Sequence, residues 1–360
     1  MKKLLITGGH FTPAHAVIEA LMKEKKFDLV FVGRKFAYEG DKQETAEYTV
    51  VNEMGIPWYT LQAGRVTKKI SMYSIISLVK IPLGCIQALG IIWKEKPDII
   101  LSFGGYIALP VAMAGWIFHI PIVTHEQTRN PGLTNRIIAK FAAVVCISWK
   151  EAIDTLPKGK IVGLPIRRSI LTAKKEIPNF LPKKSKSILY ITGGSAGAIT
   201  MNDVVFEVIP ELVKSNTIIH QTGEHSFAQA MRLKQTLGKE WEDHYIPLKQ
   251  IEGSDVGWIL HHATAVIGRS GANTVAEVMA IGVPMLAIPL PWARHDEQTV
   301  NANVIVKTKQ GLLMSQESLS KQSLTEAIEN IIEHEKDYRK QPTNTVSAVQ
   351  MILDILTSLV

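Results

Sequence analysis

The sequence predicts an α/β protein built from two parallel-sheet halves, and three observations carry that reading. Short apolar runs alternate with helical patterns along residues 1–160 and again from residue 187 onward. Each series opens on a strand running into Thr-Gly-Gly: Ile6-Thr7-Gly8-Gly9-His10 in the first, Ile191-Thr192-Gly193-Gly194-Ser195 in the second. A chain of 360 residues also exceeds one average core and suits two domains.

In the first half Lys3–Ile6 reads as a strand and Ala14–Lys25 as a helix. Leu29–Val32, Trp58–Leu61, Pro97–Ser102, Pro121–Thr124 and Val144–Ile147 follow as strands, with helices over Pro110–Phe118 and Leu133–Phe141. The stretch 164–186 holds Pro165, Pro178 and Pro182 with several lysines and little periodicity, so it reads as a linker between domains 1–163 and 187–344. Ser187–Ile191, Thr217–Gln221, Asp243–Ile246, Ala265–Ile267 and Pro284–Ile288 are the strands of the second half. The last helix, within 345–360, is able to pack on either domain, including back on the first.

The organising stretch is Val266–Asn303. A strand ending at Gly268 gives way to Arg269-Ser270-Gly271, then to a helix opening at Ala272-Asn273-Thr274. Free backbone N–H groups and the helix dipole converge there on an anion, with Ser270 and Thr274 as hydroxyl donors. Glu277 is placed to accept hydrogen bonds from a ribose diol, and His295-Asp296-Glu297-Gln298 forms a polar cluster beyond the next strand, Met285–Pro289. Gly193–Ala198 has the makings of a diphosphate cradle, although it is neither a Walker loop nor a full GxGxxG.

Two cysteines, Cys85 and Cys146, offer no disulfide framework and no metal spacing, which points to a reducing cytosol. The strand starting at the N-terminus leaves no room for a signal peptide. The net charge of +7 favours an acidic partner, but no zinc-finger spacing, RNP-like motif or long basic block supports nucleic acid. Residues 68–96 combine apolar bulk, Tyr73 and Trp93 with Lys68, Lys69, Lys80, Lys94 and Lys96. Their longest uncharged run, Ile81–Trp93, is 13 residues, short of the roughly 17–25 needed to span a bilayer. The segment therefore reads either as a surface lying on anionic membranes or as buried helices edged by lysines.

Taken in order, several segments resemble the MurG family of N-acetylglucosaminyltransferases. They are Thr7–His10 with Pro13-Ala14, Ser102–Tyr106, His125-Glu126-Gln127, Pro131–Arg136, Gly163–Arg167, Gly193–Ala198, His220–Gly223 and Arg269–Asn301. The resemblance implies a GT-B fold, with two Rossmann-like parallel-sheet domains facing across a cleft. It implies an inverting, metal-independent hexosyltransferase without a cofactor, and the chain holds no Asp-x-Asp triplet. The donor would be UDP-N-acetylglucosamine and the acceptor undecaprenyl-diphospho-MurNAc-pentapeptide, in peptidoglycan synthesis at the inner face of the cell membrane. Carried over residue by residue, His10 would be the general base. Ser195, Ala272, Asn273 and Thr274 would hold the diphosphate, Arg167 would neutralise it, and Glu277 would bind ribose. Gln298, with Glu297, would read the sugar, while Thr7, Gly8, Gly9 and Thr128 complete the substrate-binding set. His125 and Glu126 are read as structural or acceptor-side groups. The chain departs from the family pattern in its shortened first glycine loop, in Thr128 for the usual Asn, in Leu164 for Asn and in Ala196 for Gln. The rival readings are a related transferase with another UDP-sugar or glycolipid, a non-catalytic sugar-nucleotide-binding protein, and an epimerase. An epimerase should carry more acidic residues around the sugar than Glu277 and Glu297.

Overall fold

The computed structural model describes residues 1–36, 44–62, 72–172, 176–182, 187–194, 198–293, 296–342 and 347–360, apart from the side chains of residues 46 and 72–81. The chain forms two compact units, Met1–Ile166 with Val346–Val360, and Arg167–Thr345.

The first unit is a parallel sheet of seven strands: β1 (Lys2–Thr7), β2 (Phe27–Gly33), β3 (Trp58–Thr60), β4 (Ile99–Ser102), β5 (Ile122–Glu126), β6 (Val144–Ile147) and β7 (Gly159–Ile161). Their order is β3-β2-β1-β4-β5-β6-β7. The inner strands are buried, β1 from Leu4 onward and β4 and β5 throughout, as a sheet covered on both faces requires. Between them run α1 (Phe11–Glu24), α2 (Ala46–Glu53), α3 (Met72–Glu95), α4 (Gly105–Ile117) and α5 (Leu133–Ile138). One core layer joins Leu4, Ile6, Phe31 and Leu101 to Val17, Ile18 and Leu21 of α1. The opposite layer joins Leu5, Val32 and Ile100 to Ile92 of α3 and Ala108 and Val111 of α4.

The second unit begins with α6 (Arg168–Leu171) and has six parallel strands: β8 (Ser187–Thr192), β9 (Asn216–Gln221), β10 (Tyr245–Leu248), β11 (Ala265–Gly268), β12 (Met285–Ala287) and β13 (Gly311–Leu313). Their order, β10-β9-β8-β11-β12-β13, is the doubly wound arrangement. Its further helices are α7 (Ile199–Leu212), α8 (Gly223–Thr236), α9 (Gly253–His262), α10 (Ala272–Ile281), α11 (Glu297–Lys307), α12 (Lys321–Glu333) and α13 (Glu335–Tyr338). The chain then returns to the first unit, where α14 (Ala348–Ser358) packs on α1.

Several boundaries differ from the sequence expectation for identifiable reasons. α1 starts at Phe11 rather than Ala14, because Pro13 sits in the first turn, where no helical N–H is needed. α5 stops at Ile138 rather than Phe141, since Lys140 and Phe141 bond back three residues in a tight turn. The strand expected from Asp243 begins at Tyr245; Glu242–His244 is a 3-10 turn, with His244 Nδ1 3.0 Å from Thr217 Oγ1. The expected linker is not wholly a tether. Its first part carries α6, whose fully buried Ile170 packs with α9, and a Cβ on Gly257 would overlap the Ser169 carbonyl oxygen.

Candidate functional site

Strand order reverses between β1 and β4 in the first unit and between β8 and β11 in the second. In open α/β sheets the crevice beyond the carboxyl ends of such strands is where ligands bind. All four loops there are rich in glycine or other small residues.

In the first unit two glycine turns meet. A Cβ on Gly9 would overlap the Gly104 carbonyl oxygen and come 2.5 Å from its carbon and 2.7 Å from Gly105 Cα. Gly104 and Gly105 have φ of +72° and +77°, which side-chain-bearing residues rarely adopt. Phe103 N donates to Thr7 O at 3.0 Å, locking β4's exit against β1's. The half-buried His10 directly precedes α1, whose first turn has no side-chain cap. Its Nδ1 lies 3.2 Å from the Phe103 carbonyl oxygen, an acceptor, so Nδ1 carries the proton and Nε2 keeps the lone pair. Thr7 is fully buried and its Oγ1 has no hydrogen-bond partner.

Beyond β5, Glu126 is a buried fastener. Its Oε1 accepts from Thr128 N at 2.9 Å and Thr128 Oγ1 at 2.6 Å; its Oε2 accepts from Asn135 Nδ2 at 2.8 Å and Gly132 N at 3.2 Å. The hydroxyl of Thr128 is thus engaged inward. Asn135 also packs beneath Gly104 and accepts from Thr124 Oγ1 at 3.1 Å. His125 is buried, its Nε2 3.1 Å from the Gly163 carbonyl oxygen, and burial pushes its pKa down to about 4. A neutral imidazole and a fully bonded carboxylate make a scaffold for this loop.

In the second unit Gly268 lies so close to β8 that a Cβ would overlap Thr192 O. Gly271 caps α10 without a side-chain bond, so the first-turn N–H groups at Ala272, Asn273 and Thr274 are not met by a side-chain cap. Asn273 Oδ1 is buried and unpartnered. Glu277 falls on the second turn of α10. Its carboxylate is 3.9 Å from Arg167 Nη2, with side chains 14% and 20% exposed, respectively. Desolvation outweighs the guanidinium and raises the Glu277 pKa to about 7. Arg167 Nε is buried without a partner, and its guanidinium fills the space beside Gly253.

One expectation is corrected here. Ser270 is fully buried and its hydroxyl donates to the Gln298 carbonyl oxygen at 2.8 Å, so it ties loops together rather than facing a phosphate. Asn301 Nδ2 donates to Ser270 O at 3.1 Å, and Gln298 Oε1 accepts from Leu290 N at 3.0 Å. The Gln298 amide nitrogen has no bond to the described protein. Buried Arg269 donates to Ile288 O and Pro289 O, each at 3.2 Å, and to Gln316 Oε1 at 2.6 Å. These bonds tie the loop after β11 to Ile288–Leu290 and to the start of α11.

Behind β8, His220 is held between Tyr245 Oη at 3.1 Å and Asn202 Oδ1 at 3.2 Å, and burial pushes its pKa down to about 3. Asn202 Nδ2 donates to Thr222 O at 2.9 Å, which fixes the start of α7 against β9. Ser195, and His295 of the polar cluster, lie outside the described residues. Among the described residues no group of three or more His, Cys, Asp or Glu side chains is arranged to hold a metal ion. The web around Glu126 and Asn135, and the role of Arg269 as a loop tie, had no signal in residue spacing.

The glycosyltransferase family 28 N-terminal domain matches residues 7–147 and the family 28 C-terminal domain residues 188–355. A Lachnospira eligens protein is 31% identical over 349 residues, covering 94% of this chain and 93% of its own length. It is named UDP-N-acetylglucosamine--N-acetylmuramyl-(pentapeptide) pyrophosphoryl-undecaprenol N-acetylglucosamine transferase. A Bacillus cereus protein named as a second transferase of that kind is 30% identical over 364 residues, 98% of each chain. The crystal structure of Acinetobacter baumannii MurG, at 23% identity, covers 99% of this chain and 100% of its own with a TM-score of 0.65, a likeness that shows the GT-B fold. With both halves matched to one glycosyltransferase family and relatives aligned over nearly the whole length, the chain belongs to the MurG family.

Proposed function

We propose that the chain transfers N-acetylglucosamine from UDP-N-acetylglucosamine to undecaprenyl-diphospho-MurNAc-pentapeptide, with inversion at the anomeric carbon. The observation that carries this reading, beside the named relatives, is the 3.2 Å contact of His10 Nδ1 with the Phe103 carbonyl oxygen. The imidazole Nδ1–H is committed to Phe103 O, which leaves Nε2 to take the proton from the acceptor's C4 hydroxyl as that oxygen attacks. The bond to UDP breaks as the new glycosidic bond forms. The charge that develops on the leaving diphosphate is met by the opening turn of α10, by Ser195 and by Arg167. Glu277 accepts from the ribose hydroxyls and the Gln298 amide donates to the sugar. Thr7, Gly8, Gly9 and Thr128 shape the acceptor side, Thr7 and Thr128 through backbone placement, since neither hydroxyl faces outward.

The same reading places the protein on the inner surface of the cell membrane. Among the described residues no helix is long and apolar enough to cross a bilayer. α3 instead turns one face into the core through Ala88, Ile91 and Ile92, and exposes Leu83, Ile86 and Trp93 on another. Met113, Trp116 and Ile117 form a similar exposed stripe on the adjoining α4, and Lys94 and Lys96 are exposed at the end of α3. Such a surface suits an anionic headgroup layer. Lys68 and Lys69 lie outside the described residues, as do the side chains of Tyr73 and Lys80.

Replacing His10 by Ala tests the chemistry. Transfer to a lipid-linked acceptor should fall by more than about a hundredfold while UDP affinity, measured calorimetrically, stays within error. A variant that turns over like wild type would exclude His10 as the base.

A further inference from the structure

α2 is set by its cap. Thr45 Oγ1 accepts from Tyr48 N at 3.2 Å and donates to Arg34 O at 2.9 Å, fixing the first turn of the helix against the end of β2. That turn sends the side chain of Glu47 beneath the first glycine turn. Its Oε1 is sealed from solvent and has no hydrogen-bond partner. A Cβ built on Gly8 would overlap this oxygen and lie 2.9 Å from Phe31 Cζ and 3.0 Å from Glu47 Cδ. The carboxyl and the Phe31 ring thus fill the space that the absent Gly8 side chain leaves. On its other side the same turn abuts Gly104 and Gly105.

Among the described residues, the charge acting on Glu47 is Arg34, whose Nη1 donates to Tyr106 Oη at 3.4 Å. Lys35 and Glu44 pair with one another at 3.1 Å, and Lys35 Nζ stands 4.7 Å from the Tyr48 ring. The Phe31 ring beside the same glycine is apolar. Burial outweighs Arg34 and lifts the Glu47 pKa to about 7.

We propose that Glu47 is a positioning residue of the acceptor-side turn, a carboxyl wedge that holds Gly8 and Gly9 in the shape the acceptor binds. The inference rests on the transferase reading of His10 and its turn. When Glu47 ionises, a charge with no hydrogen-bond partner lies against backbone that is to receive an acceptor carrying a diphosphate. Like charges then oppose one another and the wedge draws water, so acceptor binding weakens. The donor-binding groups belong to the other unit and are untouched.

Glu47→Gln keeps the wedge's shape and holds it neutral at every pH, whereas Glu47→Ala removes it. Acceptor kcat/KM would be measured from pH 6 to 9 at saturating UDP-N-acetylglucosamine, with a short-chain polyprenyl-diphospho-muramoyl-pentapeptide. Wild type should lose close to tenfold per pH unit above about 7, in KM rather than kcat. The Gln variant should lack that limb, and the Ala variant should be weaker throughout. Parallel profiles for wild type and Glu47→Gln, or an equal change in donor KM, would overturn the proposal. Urea midpoints of the two proteins from pH 4 to 9 give a reading independent of turnover; they should diverge between about pH 4.5 and 7 and run parallel above it, and midpoints parallel throughout would equally overturn it. Diverging midpoints in a wild type that transfers no sugar would overturn the transferase reading alone.

Discussion

Substituting Gly9 by Ala probes the contact between the two glycine turns most directly. Gly9 is not among the glycines with positive φ, so an alanine meets no dihedral penalty there and its effect is steric. The new methyl would start 2.5 Å from the Gly104 carbonyl carbon and 2.7 Å from Gly105 Cα. Carbon atoms pack at about 3.5–4.0 Å, so the turns must separate by about 1 Å. Both partners are backbone, and Gly104 is braced from behind by Asn135, which leaves no flexible side chain to absorb the shift. Overpacking of this kind costs about 1–3 kcal/mol, equivalent to a melting temperature lower by roughly 4–8 °C in a domain of this size for the middle of that range. The larger effect falls on chemistry, because His10 follows the displaced residue directly. A 1 Å error in a catalytic group is worth about a hundredfold in rate. Transfer of labelled N-acetylglucosamine to a soluble lipid acceptor, alongside calorimetry with UDP, reads both halves of the expectation: acceptor turnover down by 30-fold or more (about 2 kcal/mol) and UDP affinity unchanged. A Gly9→Ala protein that keeps acceptor kcat/KM within about threefold of wild type would refute the idea that these turns jointly set the position of the base.

Two further outcomes are expected. Glu277 titrates at about 7 in the folded chain against a reference of 4.5, so the native state holds the proton more tightly than the unfolded one. Stability attributable to this group is complete below about pH 4.5 and declines as pH rises through 7. Glu277→Gln should therefore gain on wild type across that window, by about 3 kcal/mol in ligand-free protein, while binding UDP roughly tenfold more weakly. Chemical denaturation at pH 5 and pH 8 checks the first and calorimetry the second; a pH-independent difference would discount the titration. Replacing Trp93 and Trp116 together by Ser should lower partitioning onto anionic vesicles by about tenfold or more, since each buried aromatic contributes about 1.5–3 kcal/mol. Sedimentation with liposomes at low salt reads this, and equal binding by the variant would remove the α3–α4 face as the membrane surface.

The inner strands were legible because a parallel sheet buried on both faces writes itself as unbroken apolar runs, as in Ile99–Leu101 and Ala265–Ile267. β7 and β13, three-residue edge strands that are not buried along their length, carry no such apolar run. The glycine turns were legible because Gly8, Gly9, Gly193 and Gly194 follow strands directly. The direction of a hydroxyl was not: Ser270 reads as a phosphate donor by position, yet its Oγ donates to Gln298 O in the interior. Glu47 left no trace at all. An acidic residue in a helix's first turn is ordinary complementarity to the dipole, and only the fold brings it under Gly8.

The return of α14 to α1 has a consequence for synthesis. Ile352 and Leu356 are wholly enclosed in the layer that also holds Val17, Ile18 and Leu21. That layer is incomplete until Ala348–Ser358 has been made. Arg167–Thr345 lies in the chain between the two parts of that layer, so the first unit cannot complete its core until the second has been made. A nascent chain stalled short of Ile352 would display an open apolar seam along α1, a natural target for chaperones.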